Sequence, residues 1–170
     1  KEERRKRTIG PADVYRLPSD HEWSCAVGIG KDEDASLAPT AKNGKVTGYP
    51  WGPEFPPPAK SGNYYGEETK RTPLSGVTPL PGYDDGFART SPVGSFPANA
   101  FGLHDLGGNA REWCQEWFDP AIADKRVLRG GSWYYNSEVD LRSSFRGGGV
   151  PANRNDRFGF RLVLEVGSGG

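Results

Sequence analysis

Glycine and proline dominate what this chain can become. There are 24 glycines and 15 prolines among 170 residues, close to a quarter of the sequence. Glycine weakens a helix or strand interior by about 0.5–1 kcal/mol, and proline breaks a helix at a cost of about 3 kcal/mol. Long regular elements are therefore excluded over most of the chain. Disorder is excluded too, because 12% of the residues are aromatic, more than a chain with no core to bury them would carry. The expectation is one loop-rich α+β domain in which many turns hang on few short elements.

Charge and composition narrow the functional classes. Basic and acidic residues balance at 22 each, which disfavours nucleic acid and anionic membranes as partners. No apolar run reaches membrane-spanning length, so no membrane insertion is expected. Two cysteines, Cys25 and Cys114, are too few for a disulfide scaffold. The chain has no methionine, so it is expected to be a fragment or a processed product.

Residues 1–14 open with the run K-E-E-R-R-K-R and read as a charged segment or linker. In the stretch Y-R-L-P-S-D-H-E-W-S-C-A, Ser19 precedes Glu22 by three residues, the spacing of a capping box. A helix of about two to three turns should follow, burying Trp23, Ala26 and Val27 on one face. From Gly28 to Pro81 no periodicity persists, and Tyr49, Trp51, Phe55, Tyr64 and Tyr65 are the candidate ties for these loops. Around G-L-H-D-L-G-G-N-A-R-E-W-C, Asp105 and Glu112 flank the turn-forming Gly108 and Ala110. Two carboxylates beside a tight turn suit Ca²⁺; the same residues also suit an Asx-type turn leading into a helix from Ala110 to Trp117.

The stretch from Val127 to Leu162 carries the clearest site signal. Val127-Leu128 and Phe158 to Leu164 read as strands. Between them lie Trp133, Tyr134, Tyr135, Asn136, Ser137 and Phe145, then Gly147, Gly148 and Gly149, then Asn153, Asn155 and Asp156. Large aromatics with small amides and glycine form the composition of a recognition surface held on a rigid frame. Arginines recur through it, and some are expected to stitch it to carboxylates elsewhere.

The ordered segments Y-R-L-P-S-D-H-E-W-S-C-A, Y-P-W-G, G-N-Y, D-G-F, P-V-G-S-F-P-A-N-A-F-G-L-H-D-L-G-G-N-A-R-E-W, R-V-L-R-G-G-S-W and F-G-F-R-L-V-L closely resemble the formylglycine-generating enzyme, or sulfatase-modifying factor, family. The resemblance covers residues 15–164 and leaves 165–170 as a tail. It implies a variant of the C-type lectin fold, and structural calcium. One ion would be held by Asn63, the Tyr64 carbonyl, Asp85 and the Phe87 carbonyl. The other would be held by Asp105, the Gly108 and Ala110 carbonyls, and Glu112. With the resemblance, calcium is favoured over the plain turn.

The same resemblance points away from catalysis. The family's enzyme binds copper through two cysteines that follow the G-G-S motif. Aligned on Gly130, Gly131 and Ser132, those places hold Tyr135 and Asp140. Soft Cu(I) needs thiolate, so no copper is expected. An iron branch of the family needs three histidines, and this chain has only His21 and His104. No catalytic residue is assigned. The resemblance extends to the variable proteins of diversity-generating retroelements, whose C-terminal segment forms a hypervariable binding surface. The residues implied as variable and solvent-facing run from Tyr134 to Asp156, with Pro151 and the arginines as scaffold. A calcium-stabilised domain that binds a protein or small-molecule ligand is thus the leading expectation. An oxidoreductase acting on a cysteine or small thiol by other chemistry is the alternative, and an ordinary family domain without diversification stays equally open.

Overall fold

The structure, a computed structural model, describes residues 9–71 and 76–167. The charged run at the start of the chain and the last three residues of the tail lie outside them. Regular elements are few and short: β1 (Val14–Arg16), α1 (Asp20–Val27), a 3-10 turn (Gly30–Asp32), α2 (Pro39–Lys42), a second 3-10 turn (Glu67–Arg71), β2 (Arg111–Trp117), β3 (Arg126–Arg129), β4 (Arg146–Gly149), β5 (Phe158–Gly159) and β6 (Val163–Glu165). The loop-rich architecture expected from the glycine and proline content is what forms.

Helix α1 begins as its sequence dictates. The Ser19 hydroxyl accepts from the Glu22 amide at 3.0 Å, and the Glu22 carboxylate accepts from the Ser19 amide at 2.7 Å, completing a reciprocal box. Gly28 ends the helix with φ 103°, a left-handed conformation that suits glycine. Trp23 is fully buried, and Ala26 and Val27 pack against the same cluster with Leu106, Cys114 and Val127.

Two sheets organise the strands. β1 pairs antiparallel with β6, and the larger sheet runs β4-β3-β2-β5, with β2 and β5 parallel. Two expectations are corrected here. Arg111–Trp117 is strand, not helix, because its backbone is claimed on both sides, by β3 and by β5; ladder pairing overrides a weak local preference. The run from Phe158 to Leu164 is not one strand. Phe158–Gly159 joins β2, whereas Val163–Glu165 joins β1 in the other sheet, so the chain must leave one sheet to reach the second.

The loops are fastened by aromatic rings and by buried charge. Tyr49 stacks on Trp51 at 4.8 Å, Trp51 meets the Tyr64 edge at 5.3 Å, and Tyr64 meets Tyr83 at 5.6 Å. Beneath the larger sheet, Asp20 is the centre of an ion cluster. Its carboxylate contacts Arg129 at 2.5 Å, Arg146 at 2.9 Å and Lys42 at 2.7 Å, while Arg146 also reaches Glu33 at 2.6 Å. The side chains of these five residues are at most 5% exposed. Burial pushes the Asp20 carboxyl upward, but Arg129, Arg146 and Lys42 outweigh it and hold the group at about 2.

Asp20→Ala leaves three buried cations with one carboxylate, and should cost about 3–5 kcal/mol in denaturant unfolding. Because the folded Asp20 titrates below its unfolded value of about 3.9, its contribution is complete above that value. It should fade as pH falls toward about 2, and an acid titration of the melting temperature should show that loss in the wild type and little of it in Asp20→Ala.

Candidate functional site

The surface singled out in the sequence starts where β3 ends. After Arg129 the chain turns at Gly130, with φ 76°, and passes against the Leu106–Gly107 backbone. A side chain at Gly130 or Gly131 would collide with the Leu106 or Gly107 carbonyl at 2.7 or 2.5 Å. The glycine pair therefore lets two loops touch, and Gly131 donates to the Gly107 carbonyl. Ser132 is buried, and its hydroxyl accepts from the Tyr134 amide at 3.3 Å. The chain then rises with Trp133 seated and Tyr134 and Tyr135 half-exposed.

Three rings meet edge to face there. Trp133 and Tyr134 centroids lie 5.9 Å apart and those of Tyr134 and Tyr135 5.6 Å apart. Each carries a guanidinium: Arg89 over Trp133 at 5.0 Å, Arg157 over Tyr134 at 4.0 Å, and Arg111 over Tyr135 at 3.7 Å. Arg111 also lies 4.5 Å from the Phe145 ring and donates to Asp140 at 2.8 Å. Tyr135 and Asp140, the residues at the two copper-cysteine places, are thus joined through one buried arginine on β2.

The predicted surface residues separate into layers. Asn153, Asn155 and Asp156 are exposed, and Asn136, Ser137 and Phe145 are half-buried. Asn136 donates to the Thr78 carbonyl, and Ser137 donates to Asp140 at 2.5 Å. Gly147, Gly148 and Gly149 belong to β4, and only Gly148 is exposed. The expectation that all three face solvent is corrected for Gly149, which is covered because the Trp113 ring fills the place of its missing side chain. Trp133, 3% exposed, bonds the Asp156 carbonyl at 2.7 Å and acts from beneath. Tyr135 packs into the aromatic core as well. The arginines Arg89 and Arg111, which complete the layer over the rings, lie outside the stretch read as the site. Only cross-chain packing brings them there.

The two sets of calcium-ligand candidates also meet. The Asn109 amide donates to the Asn63 carbonyl at 3.0 Å, where the loops carrying the sets cross. In the first set, Asn63 Nδ2 donates to the Arg89 carbonyl at 2.7 Å, while its buried Oδ1 has no partner. Asp85 accepts from the Tyr64 and Phe87 amides, both at 2.9 Å. Burial above all, with Glu68 and Asp84 nearby, pushes its carboxyl up to about 7 despite those bonds. An orphaned amide oxygen beside an under-compensated carboxylate is the donor chemistry a hard cation takes. In the second set, Asp105 Oδ1 is buried and unpartnered. Glu112, however, is held by Arg161 at 2.6 and 2.7 Å and by the Trp23 indole at 2.8 Å, so its carboxylate is not presented to a cation. Among the described residues no three His, Cys, Asp or Glu side chains gather as a metal group, which leaves amide and main-chain oxygens to complete any such site.

The cysteines stand apart from this surface. Cys25 is exposed, Cys114 is buried, and they are not bonded to each other; burial pushes the Cys114 thiol well up, away from thiolate character.

The loop-rich domain carries the G-G-S turn against the Leu106–Gly107 backbone and an arginine between Tyr135 and Asp140. The sequence profile of the Sulfatase-modifying factor enzyme 1-like domain matches residues 3–166, and the chain belongs to that family. It is 34% identical over 157 residues to the mouse protein named inactive C-alpha-formylglycine-generating enzyme 2, which covers 89% of this chain and 44% of the relative. The chain thus spans less than half the length of this relative. Among solved structures it is similar to PvdO from Pseudomonas aeruginosa, with TM-score 0.60 and 26% identity over 89% of this chain and 53% of that one. It is also similar to Treponema denticola variable protein 1, with TM-score 0.50 and 25% identity over 87% and 46%.

Asp140→Ala strands the Arg111 guanidinium, 7% exposed, without its counter-charge. Because Asp140 itself is 30% exposed, the cost is discounted for solvent and should be about 1–3 kcal/mol in urea unfolding.

Proposed function

We propose that this chain is a non-catalytic binding domain whose ligand surface is the ring-and-arginine layer between Trp133 and Phe158. The observation that carries this reading is the Arg111 contact. The guanidinium fills the space between Tyr135 and Asp140, stacked on one and hydrogen-bonded to the other. A metal centre needs open donor atoms there, and these residues offer a closed, hydrogen-bonded platform instead. The similarity to an enzyme relative named inactive supports the same conclusion. Tyr134, rigid and half-exposed at the centre of the layer, is the ring best placed to contact a ligand.

The loops under this surface are proposed to be held by calcium at the Asn63, Tyr64, Asp85 and Phe87 set, which supplies the unpartnered Asn63 oxygen. Bound calcium would supply no chemistry beyond charge compensation for Asp85 and a fixed crossing of the loops. The likeness to a protein named variable supports diversification of the exposed positions; that idea predicts a near-identical template repeat beside the gene, differing only opposite template adenines, and it falls if no such repeat exists.

Purified protein should contain calcium, with no copper or iron and no oxygen consumption with thiol substrates. Bound copper or iron with turnover would overturn the binding reading. Chelation with EDTA should lower the melting temperature by about 5–10 °C, from roughly 2.7 kcal/mol of linkage at hundredfold saturation. Asp85→Ala should melt at one temperature with or without calcium. Tyr134→Ser should keep stability within about 1 kcal/mol of wild type while abolishing ligand binding.

A further inference from the structure

We propose that Arg157, over the Tyr134 ring, receives carboxylates from an acidic segment of a protein partner, with the exposed Arg89 over the neighbouring Trp133 as a second contact. This inference rests on the binding reading above and names the chemistry of its ligand.

The three guanidinium groups differ in what they already hold. Arg89 donates to Asp156 at 2.6 Å and Arg111 donates to Asp140 at 2.8 Å. Arg157, between them on the middle ring, has its nearest carboxylate oxygen at 3.9 Å. Its guanidinium makes no hydrogen bond among the described residues, although one third of the side chain is exposed. A guanidinium held over an aromatic face is already partly ordered and loses less freedom when a carboxylate docks against it. Its place 4.0 Å over the Tyr134 centroid therefore prepares Arg157 for a bidentate acceptor that the described residues do not supply.

The field of the surface agrees. Arg89, Arg111 and Arg157 lie over the three rings and meet two carboxylates, Asp140 and Asp156, which leaves positive charge in excess over the rings in a chain whose formal net charge is zero. Complementary charge steers encounter and selects partners. Nucleic acid fits less well: the ring faces that would stack bases are covered by arginine, and two carboxylates interrupt the phosphate path. Separate carboxylates on a flexible peptide can thread between Asp140 and Asp156, which a continuous phosphate backbone cannot.

The test pans a fully randomised displayed peptide library against the 170-residue chain, then titrates the winners against the wild type, Arg157→Gln and Tyr134→Ser. Asp- and Glu-rich winners are expected, with affinity reduced about tenfold or more by Arg157→Gln. Their binding should also weaken as salt rises from about 0.05 to about 0.5 M. Arg157→Lys, which keeps the charge and loses the fork, should fall between. Winners without acidic bias that still require Tyr134 would overturn the carboxylate inference and leave the binding reading intact. No winner above the Tyr134→Ser background would overturn both. Tighter binding of a thymidine oligonucleotide than of the best acidic peptide would also overturn the proposal. Arg157→Gln loses the contact over Tyr134, a small contribution to stability, so its melting temperature should change little; should it fall sharply, Arg89→Gln provides the charge test from an exposed position over the neighbouring ring.

Discussion

The carboxylate of Asp20 ties helices α1 and α2, which no ladder joins to the larger sheet, to the paired strands β3 and β4. It opens α1, yet its partners come from α2, from the end of β3 and from the start of β4. Each partner is buried, and each would be costly to bury alone, since an unpaired charge in a low-dielectric interior loses its hydration without recompense. Remove the carboxylate and Arg129, Arg146 and Lys42 are left with Glu33. Arg129 also spans Trp23, with its guanidinium 4.4 Å above the ring, so the ion cluster and the apolar core share a wall. A fold with so few regular elements has little backbone pairing to fix its elements, and this cluster sets where α1 lies against β3 and β4.

The candidate site inherits its rigidity from that arrangement. Gly130 and Gly131 follow directly from Arg129, and the contact they permit with the Leu106–Gly107 backbone sets the height of Trp133. Asn109, in a left-handed conformation with φ 66°, is braced by mutual bonds between its amide side chain and Ser91, and its carbonyl accepts from the Trp133 amide. Rings carried on such a base lose little freedom when a ligand arrives, which is the condition for an aromatic surface to bind well. The Arg111 contact belongs to the same geometry and joins Tyr135 to Asp140, with the guanidinium over the ring of one and a hydrogen bond to the other.

Several features were legible before any coordinates. The capping box at Ser19 and Glu22, the β3 strand and the crowding of aromatics between Val127 and Phe158 depend on neighbours in sequence, and each formed where the residues placed it. The ordered motifs were specific enough to identify the family, which the profile match over residues 3–166 bears out. The β2 strand is not legible locally, since R-E-W-C-Q-E-W has no decisive period and its state is settled by strands from later in the chain. Likewise Phe158 to Leu164 looked continuous because its apolar residues are continuous; that they serve two sheets is a property of β1 and β2, not of the run itself.

Residue chemistry over short spans is enough for the loop-rich class, the family, the helix start and the identity of the ring-bearing stretch. Tertiary packing chose which residues of that stretch face outward and which support it. Gly149 is hidden by a ring from β2, Arg89 and Arg111 arrive from elsewhere to cover Trp133 and Tyr135, and Glu112 is claimed by Arg161. Pairings of this kind join residues separated by tens of positions, and no local pattern encodes them; they are chosen by where buried charges find partners and where rings find room.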